Sequence, residues 1–267
     1  MDRLTELEQK SIYIIREAYA KYRNMALLWS IGKDSTTLLW LVRKAFFGKI
    51  PFPVIHIDTS FKMDEIYSFR EKYAKEFGLN LIVFRNEEAL AAGVNSQTHS
   101  RLDCCQKLKT DALKKVIAKN GFQAILLGIR RDEHGIRAKE RVFSPRTNSF
   151  EWQYKNQPAE LWNMYKRKVA GDEHVRVHPL LDWSEVDIWR YIEREKIPVV
   201  TAYFAKNGKR YRSIGCAPCC TPMGSSADTV AKIIAELSHT KISERSGRAQ
   251  DAENSYNMQK LRSLGYM

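Results

Sequence analysis

The sequence predicts a doubly wound α/β fold built on a mostly parallel sheet. Two patterns carry this. Short apolar runs alternate with longer amphipathic stretches, and several of the runs end in a polar or glycine-containing turn. An amphipathic helix is predicted over 3–22, where Leu4, Leu7, Ile12, Ile15 and Ala18 recur at helical spacing. A first strand follows in "NMALLWS" (24–30), then a helix over 35–47 with Leu38, Leu41, Val42 and Ala45 on one stripe. "PVIHID" (53–58) reads as a second buried strand and 63–78 as a helix closed by Gly78. "NLIVF" (80–84) is a third strand, 104–121 a helix ending in Asn-Gly, and "AILLG" (124–128) a fourth strand. Residues 142–173 read as an irregular connection, 175–181 as a further strand, and 184–196 as a helix capped by Ser184.

At 267 residues the chain suits one main domain with an appended segment. The expected division is 1–200 for the nucleotide-type domain and 201–267 for a cysteine-containing extension packed on it. No repeat or low-complexity tail interrupts this, and the aromatic stretch 150–165 reads as an interface, a lid or core. The N-terminus is charged throughout, without the apolar run of a signal peptide, and no window is long and apolar enough for a membrane span. The expected location is therefore the cytoplasm, where clustered cysteines more often mean metal or catalysis than disulfides. The net charge of +13 has two readings: solvated surface plus phosphate pockets, or a polyanion partner such as nucleic acid.

In doubly wound sheets ligands sit at the carboxyl ends of the strands, which points to Ser30–Ser35, Asp58–Lys62 and Gly128–Glu133. The loop "SIGKDST" (30–36) has the chemistry of an anion cradle. Gly32 lets backbone amides approach an oxygen, Lys33 adds positive charge, Ser35 and Thr36 offer hydroxyls, and the new helix directs its first amides at the ligand. The loop lacks the first glycine of a P-loop, and the plain alternative is a polar turn that caps a helix. Arg130, Arg131 and Arg137 offer bidentate contacts to an anionic acceptor. Asp132 and Glu133 read as well as charge balance for these arginines as acid–base groups, and His134 reads as a hydrogen-bonded surface histidine.

These motifs resemble, in order along the chain, those of the ATP pyrophosphatase superfamily, in its branch of sulfate adenylyltransferase small subunits and PAPS reductases. "SIGKDS" is similar to the pyrophosphate loop and "HIDTSFKMDEIYSFRE" (56–71) to the second motif, with Asp58 near the nucleotide. "GIRRDEHGIRAKER" (128–141) is similar to the third, beginning at Gly128. "HPLLDWSEVDIWRYIEREKIPV" (178–199) and the tail beginning "SERSGRAQD" resemble the sulfate adenylyltransferase small subunit. The resemblance implies cleavage of ATP between its α and β phosphates with Mg2+ present. Lys33, Asp34, Arg130 and Arg131 would be the catalytic residues, and Ser30, Gly32, Lys33, Asp34, Ser35, Thr36, Asp58 and Gly128 would hold the nucleotide.

The five cysteines fall in two groups, Cys104–Cys105 and Cys216, Cys219 and Cys220. Strain disfavours a disulfide between neighbours, and four thiolates suit zinc or an iron–sulfur cluster. The arrangement is similar to the [4Fe–4S] pattern of adenylylsulfate reductases, which implies Cys104, Cys105, Cys216 and Cys219 as ligands. The reductases' further C-terminal cysteine has no counterpart in "LRSLGYM". The leading expectation is therefore ATP-driven sulfur insertion into nucleic acid, DNA before RNA, similar to DNA phosphorothioation proteins and some tRNA thiolases. A cysteine desulfurase would be the sulfur donor, and Cys220 either a persulfide carrier or a packed thiol. The alternative is a sulfate adenylyltransferase subunit working with a GTPase subunit. Adenylylsulfate reduction and a nonenzymatic nucleotide binder are lesser readings. Either leading reading implies a homo- or hetero-oligomer.

Overall fold

The computed structural model describes residues 2–147, 149–152, 154–155, 157, 159–160, 162, 164–165, 172–249, 260–261 and 263–265. The chain opens with α1 (Arg3–Lys21), capped by the Asp2 carboxylate, which accepts from the Leu4 and Thr5 amides at 2.9 and 3.1 Å. β1 (Met25–Leu28), α2 (Lys33–Ala45), β2 (Val54–Ile57), α3 (Asp64–Glu76) and β3 (Leu81–Phe84) follow in strict alternation. Two short helices, α4 (Glu87–Ala91) and α5 (Arg101–Cys105), precede a π-helical turn (Gln106–Asp111) and α6 (Ala112–Asn120). α6 stops at Gly121, whose φ of 63° is the left-handed cap that the Asn-Gly pair predicts.

β4 (Ala124–Leu126), β5 (Phe143–Thr147) and β6 (Asp172–Val177) complete a six-stranded sheet of order β3-β2-β1-β4-β6-β5. Every pairing is parallel except β5 with β6. Strand β5 corrects the expectation of an irregular connection over 142–173. It carries Pro145, which an edge strand tolerates because only one side of it must donate to a ladder. β6 also begins before the predicted 175, at Asp172, while 178–181 turn out of the sheet. α7 (Glu185–Glu195) starts at Ser184 in a full capping box with Asp187.

Side chains in the central strands alternate between two apolar layers. Met25, Leu27, Val54, Ala124 and Leu126 face α1, α2 and α7, while Ala26, Leu28, Ile55, Ile57 and Ile125 face α6. Both faces being covered, the strands read as continuous apolar runs. The C-terminal part holds a two-stranded ladder, β7 (Lys209–Arg210) with β8 (Met223–Gly224), and α8 (Val230–His239). Ala227, Ile233 and Leu237 join the same core layer as α2 and α7. No helix among the described residues is long and apolar enough to cross a membrane.

Candidate active site

The strand order reverses at β1 and β4, and the loops leaving these neighbours splay apart into a crevice. A cleft of about 960 Å³ opens there. Its walls come largely from the three predicted loops: Ser30 and Gly32 to Ser35 after β1, Ile57 and Lys62 around the end of β2, and Leu127 to Ile129 with Glu133 after β4. Ile31 holds a φ of 69°, unusual for a β-branched residue, so the turn into α2 is strained where the cleft begins. Gly32 brings no capping side chain, and of the first-turn amides of α2 that of Lys33 donates to the Tyr203 hydroxyl.

Gly128 has a steric reason to be glycine. A Cβ there would lie 3.0 Å from the Asp34 carbonyl and the Ser35 Cα, so β4 and the start of α2 touch backbone to backbone. At Gly32 a Cβ would meet nothing nearer than 3.5 Å, so protein packing does not demand that glycine.

The cations cluster below the cleft floor. Lys33 Nζ lies 3.1 Å from Asp34 and is also bound to Glu244, and Arg130 reaches Asp34, Asp132 and the other oxygen of Glu244. Lys33 and Arg130 are both buried. Burial opposes the charge of Glu244, yet Arg130 and Lys33 outweigh it and hold the carboxyl well below the usual carboxylate range. Arg137 and Arg245 line the cleft and share Glu133, Arg245 at 3.1 Å. The Tyr203 hydroxyl accepts from the Lys33 amide at 2.9 Å.

Ser30, Gly32, Lys33, Asp34, Ser35 and Gly128 thus border one cavity. Three other sequence candidates sit elsewhere. Thr36 accepts from the Trp29 indole at 3.1 Å inside the core. Asp58 is buried against Arg85 at 2.7 Å and the Tyr67 hydroxyl, where it shapes the end of β2. Arg131 turns to Asp182, away from the cleft. His134 accepts from the Ile136 amide at 3.3 Å, a local turn contact. Glu244, Arg245, Arg248, Lys109 and Tyr203 escaped the sequence reading, whereas Lys62 lies in the predicted loop Asp58–Lys62. The dense charges of "SERSGR" were the available signal for the first three.

The cysteines meet across 110 residues. Cys104, Cys105, Cys216 and Cys219 line one pocket of about 310 Å³, with Thr59, Arg101 and Lys109. All five thiols are free and buried. The Ala217 amide donates to the Phe61 carbonyl at 2.7 Å and the Cys219 amide to the Cys216 carbonyl at 3.0 Å, which sets the "CAPC" turn against β2's loop. Burial would raise the Cys216 thiol, but Lys109, Lys62, the Thr59 hydroxyl and Arg248 bring it down to about 6. Burial and the neighbouring thiols Cys105 and Cys216 push Cys104 up to about 12. Arg101 lies 3.3 Å from Cys219 Sγ and Arg248 3.2 Å from Cys220 Sγ. Among the described residues no group of three or more His, Cys, Asp or Glu is set to hold a single metal ion. Lys109, placed by the π-helical turn, lines both this pocket and the nucleotide-type cleft.

Fold and cleft together are those of the ATP-pyrophosphatase type: a mostly parallel sheet whose first loop and helix border a cleft at the switch point. The family model for the phosphoadenosine phosphosulfate reductase domain matches residues 24–222, and the chain belongs to that family. Sulfate adenylyltransferase subunit 2 of Pseudomonas putida strain F1 is 43% identical, over 100% of this chain and 99% of its own. The subunit of the same name from Azotobacter vinelandii is 42% identical over 98% and 97%. The first alignment spans 303 positions against 267 residues here, so that relative carries segments this chain lacks. Among solved structures, PAPS reductase from Candida auris superposes with a TM-score of 0.55 at 16% identity, covering 84% of this chain and 98% of its own. Candida glabrata FMN adenylyltransferase in complex with ATP gives 0.57 at 16% identity over 82% and 63%. These structural likenesses speak to the fold.

Proposed function

We propose that this chain is an adenylyltransferase that cleaves ATP between the α and β phosphates, with sulfate as acceptor and a GTPase subunit as partner. The observation that carries it is that two buried cations, Lys33 at the start of α2 and Arg130 after β4, meet on one carboxylate, Glu244, at the border of the cleft. An acceptor oxygen attacks the α-phosphorus, the bond to the bridging oxygen breaks, and pyrophosphate departs. Lys33, Arg130 and the α2 amides neutralise the leaving charge, while Arg137 and Arg245 face the cleft where an anionic acceptor would enter. The Asp34 carboxylate, paired with Lys33 and Arg130, and the Ser35 hydroxyl border the cleft, and an Asp34 oxygen released from those pairs would be a ligand of the kind magnesium takes beside phosphates. That ion would supply further neutralisation. Full-length likeness to proteins called sulfate adenylyltransferase subunit 2 supports this acceptor.

The cysteine pocket favours a second reading. Four thiols, one of them lowered to about 6, surround a space that shares Lys109 with the nucleotide cleft. This donor set fits a [4Fe–4S] cluster held by Cys104, Cys105, Cys216 and Cys219, with Lys62, Lys109, Arg101 and Arg248 offsetting thiolate charge. In that reading ATP adenylylates an oxygen of nucleic acid, the outer sulfur of a persulfide supplied by a cysteine desulfurase displaces AMP, and a thiol reductant then breaks the remaining S–S bond, itself ending as a disulfide. The +13 charge supports a polyanion.

One experiment separates the two. Protein purified without oxygen is assayed for iron and labile sulfide, then for pyrophosphate release from ATP. The sulfate reading expects turnover with sulfate plus the GTPase subunit; turnover only with nucleic acid and a desulfurase overturns it. Lys33→Ala should lower either activity by about 10²–10³-fold.

A further inference from the structure

Glu244 borders the cleft to which the proposed reaction assigns the nucleotide. One of its oxygens contacts Lys33 and the other Arg130, the two buried cations that face the leaving group. A carboxylate bridging two cations in this way reproduces the contacts of a terminal phosphate. The side chain is buried and negatively charged, so pyrophosphate cannot enter beside it without bringing like charges together in a site of low dielectric.

The surroundings give Glu244 somewhere to go. A second cavity of about 580 Å³ lies on its far side, lined by Arg212, Ser213, Thr221, Ser246 and Gly247. Glu244 and Ser213 border both this cavity and the cleft, so these two residues stand between them. The segment carrying it is fastened at several points. Arg245 pairs with Glu133, the Arg248 amide donates to the Arg245 carbonyl at 2.8 Å, and the Thr221 amide donates to the Gly247 carbonyl at 2.9 Å. At Gly247 a Cβ would lie 2.7 Å from the Thr221 carbonyl oxygen, so chain passes chain without a side chain between.

We propose that Glu244 is a built-in surrogate for pyrophosphate. Together with Asp34 it neutralises Lys33 and Arg130 while the cleft is empty, and it is expelled towards the second cavity when nucleotide phosphates arrive. Its return after bond cleavage competes with the product and speeds pyrophosphate release. Because Glu244 is buried within a fastened turn, the expulsion moves residues 243–248 with it. The inference rests on the cleft being the adenylyl-transfer site, and Glu244 acts as a positioning residue through the two cations.

Inorganic pyrophosphate is the probe, titrated by calorimetry into the full chain and into Glu244→Gln, which keeps the side-chain size but removes the competing charge and one of the two acceptor oxygens. The variant should bind pyrophosphate at least tenfold more tightly, with both KM for ATP and kcat lowered because the product leaves slowly. Equal or weaker binding by a folded variant overturns the surrogate role and leaves the cleft assignment standing, provided the wild type binds and Lys33→Ala does not. Failure of both wild type and variant to bind overturns the cleft assignment and the surrogate together. A second measurement does not depend on the variant folding: amide hydrogen exchange of residues 241–248 in the wild type. It should accelerate on saturation with pyrophosphate, and unchanged exchange in the bound protein overturns the proposal.

Discussion

Gly128→Ala tests whether the start of α2 is where phosphates sit. The new methyl carbon would lie 3.0 Å from three backbone atoms of Asp34 and Ser35, where ordinary contacts begin several tenths of an ångström further out. The neighbours are backbone, so no side chain can rotate away; α2 and the β4 loop must separate. Overpacking of this kind costs about 1–3 kcal/mol, which lowers Tm by roughly 2–10 °C for a chain of this length. The same displacement moves the Lys33 and Ser35 amides relative to the cleft, and catalytic geometry is sensitive to such shifts. kcat/KM for pyrophosphate release should fall on the order of tenfold to a hundredfold. Thermal melting and a coupled pyrophosphate assay, run on the same preparation, read the two effects separately. A variant with lowered Tm and unchanged kcat/KM would refute the placement of the phosphates at this helix terminus.

Arg146→Met should destabilise the chain by about 3–5 kcal/mol, because it removes the charged partner of the fully buried Glu140, 2.9 Å away. Urea unfolding measures this, and the double variant with Glu140→Met should recover much of the loss. Burial, with Lys62 and Arg70 nearby, lowers His56 to about 3 from an ordinary value of 6.5. The unfolded chain therefore binds a proton at His56 that the folded chain refuses, and stability falls as pH drops from about 6.5 towards 3. His56→Gln should flatten that slope by on the order of 4 kcal/mol across the window, seen in urea midpoints against pH. In metal-free protein, Cys216 should show thiolate ultraviolet absorbance appearing as pH rises through about 6, and Cys216→Ser should remove it. If a cluster is held, Cys216→Ser and Cys219→Ser should bleach its visible absorption while Cys220→Ser leaves it.

The local choices were readable because each has a local cause. Apolar runs bounded by turns gave β1 to β4, Ser184 marked the cap of α7, and Asn120-Gly121 marked the end of α6. Strand β5 escaped because Pro145 and polar neighbours remove the apolar alternation; its pairing with β6 supplies the order instead. The helix expected over 104–121 is interrupted by a π-helical turn, which no periodicity of the sequence announces. That interruption carries Lys109 to the wall between two cavities.

By itself the sequence determined the doubly wound sheet, the loop that opens α2, and several of the residues that border the cleft, since hydrophobic period and turn chemistry act over a few neighbours. It also showed two cysteine groups without showing that they meet. Only the tertiary structure decided which charges share the site. Glu244 lies 211 residues from Lys33 and 114 from Arg130, yet bridges both. Arg131, beside Arg130 in the chain, faces Asp182 instead. Neighbouring side chains leaving β4 point in different directions, and the folding of the C-terminal segment over the cleft, not its sequence spacing, places a carboxylate between two buried cations.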